Sequence, residues 1–226
     1  MLSSSSFPDC SAGANAGAGA GAGAEAGAGA SELTGMSAAD VFEAQGKRGR
    51  VGSEIAPLFR PMSLAGPAYT VKQEAGGNLN LHHALVDAPA GSVLVVEVVG
   101  EQPCKRAVMG DIIAYAAQRA GMLGLVTNGV CRDWDKIWEL QFPVYASGLN
   151  IDGPDKTGAL ERGGRVTIGG VGIESGDYLV GDSDGLVVVR AEDVAATVAA
   201  AKARAEAETR ILEQIDQGAT TLSIYT

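Results

Sequence analysis

Residues 92–99 read Ser-Val-Leu-Val-Val-Glu-Val-Val, with Gly91 leading in. A near-unbroken apolar run of this length has no polar side to turn to water. As a strand it needs cover on both faces, the place of a central strand in a largely parallel sheet. The flanking segments supply neighbours and cover. Gly66 to Val71 reads as a strand, and Leu79 to Ala88 as a helix with Leu81, Ala84, Leu85 and Ala88 along one face. Gly110-Asp111 opens a helix from Ile112 to about Ala120, and Gly121 suits its C′ position. Leu123 to Thr127 is a strand ended by Asn128-Gly129, Asp133 to Leu140 a short helix, and Phe142 to Ala146 a further strand. This alternation predicts an α/β core.

The character changes near Arg165. Val166-Thr167-Ile168, Val171-Gly172-Ile173, Tyr178-Leu179-Val180 and Leu186 to Val189 are short strands separated by Gly169-Gly170, Ser175-Gly176-Asp177 and Asp182-Ser183-Asp184-Gly185 turns. They predict an antiparallel section beside the α/β part. A long helix from Val194 to about Gln217, stopped by Gly218, closes the chain. A short helix starts near Ser37, which is placed to cap it, with Asp40 three residues on. Residues 11–30 read SAGANAGAGAGAGAEAGAGA and offer almost no side chain to bury. Residues 1–33 are therefore expected to form a disordered tail, and 34–226 one folded domain.

The formal charge of −10 argues against nucleic acid as a direct partner. Three cysteines without CxxC spacing argue for reduced thiols and a cytoplasmic setting. No secretory leader and no transmembrane run is expected.

The candidate chemistry lies in a D-x20-R-D spacing, Asp111 with Arg132-Asp133. Asp111 at a helix start is explained by capping alone. Arg132-Asp133 past a strand is explained by a surface ion pair. Together they place two carboxylates and a guanidinium where α/β sheets bind ligands, at strand carboxyl ends. The amides of Ile112 and Ile113, after Gly110, would face a carboxylate.

Other features carry less. His82-His83 lacks a third ligand, so one ring is expected in the core and one in solvent. Asp182-Ser183-Asp184-Gly185 starts like a calcium loop but lacks its glutamate, so a turn is expected. Trp134 and Trp138 suit core or interface packing. Glu206 and Glu208 sit among Lys202, Arg204 and Arg210 on a solvated helix face. No glycine-rich nucleotide loop, P-loop or G-x-S-x-G occurs, which speaks against a methyl transferase.

Residues 33–218 resemble the family of 4-hydroxy-4-methyl-2-oxoglutarate aldolases and RraA-like ribonuclease regulators. The resemblance rests on Leu64 to Val71, Gly91 to Val99, Phe142 to Gly148, Gly176 to Val189, and above all on D-x20-R-D. It implies an α/β/β sandwich with a mixed sheet. It also implies a class II aldolase releasing pyruvate from 4-hydroxy-2-oxo acids, with oxaloacetate decarboxylation besides. Asp133 would hold Mg²⁺ or Mn²⁺, partly through waters. Arg132 would stabilise the enolate, Asp111 would assist its protonation through water, and Gly110, Ile112 and Ile113 would bind the substrate carboxylate. The resemblance further implies a homotrimer or hexamer whose neighbouring subunit contributes Glu208 or Glu206. The alternative is a non-catalytic regulator of the ribonuclease E inhibitor type, which has no need of the Asp111, Arg132, Asp133 set.

Overall fold

The computed structural model describes residues 32–100 and 105–226. Of the tail expected over residues 1–33, residues 1–31 lie outside them, and Leu33 is fully buried, so the packed part begins before residue 34. Helix α1 (Ala38–Ala44) is followed by strands β1 (Ala56–Pro57) and β2 (Leu64–Glu74), helix α2 (Leu79–Asp87) and strand β3 (Val93–Val99). Next come β4 (Ala107–Met109), α3 (Asp111–Arg119), β5 (Gly124–Thr127) and β6 (Val130–Cys131). They lead to α4 (Trp134–Leu140), β7 (Val144–Ala146) and β8 (Gly148–Leu149). Strands β9 (Ala159–Arg162), β10 (Val166–Ile168), β11 (Val171–Ile173), β12 (Tyr178–Gly181) and β13 (Leu186–Val189) precede α5 (Val194–Asp216) and α6 (Thr221–Tyr225).

The main sheet runs β1-β7-β5-β3-β2-β12-β13, with β9 also on β2. Strands β2, β3, β5 and β7 are mutually parallel, and β1, β9, β12 and β13 join antiparallel. This is the mixed sheet expected, with β3 in the middle. Val93, Leu94, Val95 and Val96 are fully buried, as their lack of a polar face requires. Strand β2 is long enough to change partners along one edge, pairing β12 at 64–67 and β9 near 71–73. The segment expected as a strand from Gly66 to Val71 is thus the middle of a longer one.

The apolar residues fall into two clusters. The larger fills the α/β part. The smaller joins Leu33, Val41, Val180, Val187, Val189, Val194 and Val198 on the far side of β12 and β13. Ser37 caps α1 through its hydroxyl, which accepts the Asp40 N–H at 3.0 Å. Only Val194, Thr197, Val198 and Ala201 of α5 are buried, so the helix is anchored by its first two turns. Gly218 takes the left-handed conformation after it, φ 96°.

A second sheet, three strands in parallel order β4-β6-β8, has no forerunner in the sequence patterning. It arises where each main strand hands the chain onward. The Asn128 side chain accepts from Val98 N at 2.6 Å and donates to Val98 O at 3.2 Å, standing in for a strand partner of β3. Gly129 then steps aside, since a Cβ there would lie 2.8 Å from Val98 Cγ2. The chain leaves β5 and enters β6, displaced from the main sheet.

Candidate active site

The site forms at the carboxyl ends of this small sheet. Strand β4 ends at Met109, and Gly110 is the residue that opens α3. Asp111 was expected at the cap but is the first helical residue. Strand β6 ends at Cys131, and Arg132 N donates to Met109 O at 3.0 Å, which sets Arg132-Asp133 beside Gly110-Asp111. After β8, Asn150 N donates to Cys131 O at 2.9 Å and brings Leu149, Asn150 and Ile151 to the same end.

Asp133 holds the left-handed conformation, φ 58° and ψ 40°, which aspartate tolerates better than most residues. Its Oδ2 lies 3.2 Å from Arg132 Nε and accepts the Asp111 N–H at 3.4 Å. A Cβ on Gly110 would overlap that same oxygen and stand 3.0 Å from Arg132 Cγ. Gly110 is glycine because the carboxylate and the arginine stem occupy its side-chain space. Gly153 does the same for the other end of Arg132, since a Cβ there would stand 2.6 Å from Nη1. Arg132, Asp133, Trp134, Leu149, Asn150 and Ile151 line a cleft of about 300 Å³.

Asp111 is held at both oxygens. Oδ1 accepts its own helix's Ile112 N–H at 2.8 Å, and Oδ2 accepts from Lys136 Nζ at 2.9 Å. The Ile112 amide expected to face a ligand carboxylate is therefore engaged by Asp111. The Ile113 amide remains in the first turn, where helix geometry provides no intrahelical acceptor. On this side a second hollow, about 420 Å³, is lined by Asp111, Ile112, Tyr115, Lys136, Glu139 and Leu140.

Lys136 holds the Asp111 carboxyl below its ordinary pKa, with the Ile112 N–H acting in the same direction. Asp111 is thus ionised at neutral pH. Because its pKa is depressed, the pairing persists above the ordinary aspartate range and is lost as pH falls through the lowered value. In the metal-free protein, Lys136→Met should raise the Asp111 midpoint toward that of free aspartate, followed by carboxyl ¹³C NMR. An unmoved midpoint would mean Lys136 does not set the charge of Asp111.

Lys136 was missed in the sequence, although it stands three residues after Asp133, one turn along α4. The residues after β8 and Gly153 carried no signal, because the strand that delivers them is two residues long. Trp134 and Trp138 are not in the core. They are partly exposed and stacked, centroids 6.5 Å apart at 14°, and Trp134 Nε1 donates to Leu58 O. Neither His82 nor His83 is buried; His82 contacts Lys156 at 3.0 Å. Asp182 is a turn residue, as expected, and its Oδ2 accepts the Ala38 N–H at 2.8 Å. Glu208 pairs with Arg204 on its own helix at 2.8 Å, and Glu206 is exposed there. Within one chain, neither lies among the residues lining the cleft or the second hollow.

Cys131, directly before Arg132, is fully buried, and burial pushes its thiol up to about 12. Among the described residues no three His, Cys, Asp or Glu side chains converge as a metal cage. That excludes a closed zinc-type site there. Asp133, two-thirds shielded at the cleft, has a carboxylate of the kind a hard cation that keeps most of its waters would take.

Residues 36–188 match the family model RraA-like, described as Aldolase/RraA. A relative in Halalkalibacterium halodurans, provisionally named 4-hydroxy-4-methyl-2-oxoglutarate aldolase, is 36% identical over 137 residues. The match takes in 61% of this chain and 64% of that protein, so the chain spans less than two thirds of the relative's length. Among solved structures, an uncharacterised protein from Pseudomonas syringae pv. tomato superposes with TM-score 0.75 at 28% identity, covering 86% of this chain and 94% of that one. A Streptomyces coelicolor protein, described as an unusual member of the RNase ES inhibitor RraA protein family, gives 0.73 at 25% identity, covering 83% and 98%. Fold and sequence match agree, and the chain belongs to the RraA-like (Aldolase/RraA) family.

Proposed function

We propose that this protein is a divalent-metal-dependent lyase that cleaves 4-hydroxy-2-oxo acids to pyruvate and also decarboxylates oxaloacetate. The observation that carries the reading is the Arg132–Asp133 pair lining one cleft, with Asp133 Oδ2 accepting the Asp111 N–H and the Asp111 carboxylate lining the second hollow. Asp133 would hold Mg²⁺ or Mn²⁺, which when bound draws electrons from the 2-oxo group. When the C3–C4 bond breaks, the C4 hydroxyl proton passes to a water oriented by Asp111, C4 becomes a carbonyl, and the bonding pair passes into a pyruvate enolate. Arg132 faces the developing negative charge with a planar, permanently charged fork. Asp111, ionised, orients a water that returns a proton to C3 rather than giving up one of its own. Trp134, Leu149 and Ile151 wall the cleft.

The natural setting we infer is cytoplasmic; no helix among the described residues is long and apolar enough to cross a membrane. Ile112, Tyr115, Trp138, Leu149 and Ile151 are exposed around a charged centre. Such a rim supports a homotrimer or hexamer in which a neighbour's Glu208 or Glu206 reaches the site. The regulatory reading suits the Streptomyces coelicolor neighbour, but it leaves the Gly110, Arg132 and Asp133 packing without a purpose.

Pyruvate release from a panel of 4-hydroxy-2-oxo acids and oxaloacetate tests the proposal. Turnover should vanish in EDTA and return with Mg²⁺. Turnover that is indifferent to chelator would remove the metal, and silence across the panel would remove the lyase.

A further inference from the structure

The cleft beside Arg132 and Asp133 is charged at one end only. Among the described residues that line it, Arg132 is the sole cation, and its Nε already faces Asp133 Oδ2 at 3.2 Å. The rest of the wall is Trp134, Leu149, Ile151 and the neutral Asn150. A volume of about 300 Å³ is at the small end for a ligand pocket. A substrate with its carboxylate and 2-oxo group at Arg132 therefore lays its other half against these side chains.

The indole of Trp134 is a fixed surface. Asp133, in the left-handed conformation, turns the chain so that Trp134 is the first residue of α4. Its Nε1 donates to Leu58 O, and its ring stacks on that of Trp138, centroids 6.5 Å apart and 14° from coplanar. The polar edge of the ring is thus satisfied within the protein, and what it offers the cleft is apolar. Leu149 is 53% exposed and Ile151 89%, yet both line the cleft, brought there by the bond from Asn150 N to Cys131 O. Apolar side chains gathered beside charged ones mark a surface built to receive an apolar group.

We infer that Trp134 is a specificity-determining residue which, with Leu149 and Ile151, receives an alkyl or aryl substituent on C4 of the 4-hydroxy-2-oxo acid. This rests on the reading of function above and narrows it to substrates whose C4 group is uncharged, cleaved to pyruvate and an apolar aldehyde. It departs from 4-hydroxy-4-methyl-2-oxoglutarate, the substrate in the Halalkalibacterium halodurans relative's name, which carries a second carboxylate. A carboxylate on C4 would lose water against the indole and find no cation among the lining residues except the one already engaged. A phenyl ring laid on the same surface should gain about tenfold in affinity or more.

Two ligands that lack the C4 hydroxyl, and so cannot be cleaved, differ only in the group on C4: phenyl in 2-oxo-4-phenylbutanoate, carboxylate in 2-oxoglutarate. Calorimetry on the full chain in Mg²⁺ buffer should show the phenyl ligand bound about tenfold or more tighter. Trp134→Ala should cut that ratio about tenfold, and Trp134→Phe, which keeps an aromatic face, should retain part of it. Leu149→Ala, at an exposed position, should lower the ratio about two- to fivefold, and it decides the matter if a melting curve shows Trp134→Ala unfolded. Failure of the wild type to bind either ligand, an equal or tighter hold on 2-oxoglutarate, or a ratio that neither alanine variant moves would overturn the assignment. A phenyl preference in a protein releasing no pyruvate would keep the subsite and sink the lyase. Pyruvate release with the preference reversed would sink the subsite alone.

Discussion

Arg132→Ala is expected to lower kcat for pyruvate release by about 10²-fold or more, the size seen when a preorganised oxyanion partner is removed. The guanidinium is fixed from two sides before any substrate arrives. Its Nε faces Asp133 Oδ2 at 3.2 Å, and its Nη1 lies against the Gly153 backbone. Little reorganisation is left to be done as charge develops. Arg132→Lys should recover only a fraction, because a lysine point charge cannot both face Asp133 and reach the cleft as a planar fork does. Steady-state kinetics on the best substrate of the panel would check this. A variant with a tenth of wild-type kcat or better would show that Arg132 does not carry the enolate charge.

Gly110→Ala should cost about 10- to 100-fold in Mg²⁺ affinity, the range for disturbing a metal ligand's surroundings. The added methyl overlaps Asp133 Oδ2, which must swing away, and presses on the Arg132 stem. Gly110 is only half-buried, so the fold should survive, with a thermal midpoint close to wild type. Calorimetric Mg²⁺ titration beside a melting curve separates the two effects. Unchanged affinity would show that Asp133 is not the ligand or that Gly110 does not position it.

The main architecture is readable because its signals are local. The apolar run at 92–99 has one use, and Gly121 and Gly218 mark helix ends through conformations other residues resist. The small sheet was not legible. Strands β6 and β8 have two residues each, too few for any period, and they exist because Asn128 and Gly129 redirect the chain. Asp111, Arg132 and Asp133 could be picked out by spacing, but their neighbours could not. Lys136, Gly153 and Asn150 reach the site through tertiary hydrogen bonds and close approaches that no sequence window contains. The engaged Ile112 amide was equally hidden, since the acceptor that a helix-start amide finds is set by side-chain conformation in the folded chain.

One residue upstream of the arginine sits a thiol that cannot react. Sealed beneath the cleft and with its proton held to about pH 12, Cys131 yields almost no thiolate under physiological conditions. Peroxide, glutathione disulfide and alkylating reagents have no entry to the centre by this route while the domain stays folded. Cys131 therefore gives the proposed chemistry no built-in oxidative off-switch.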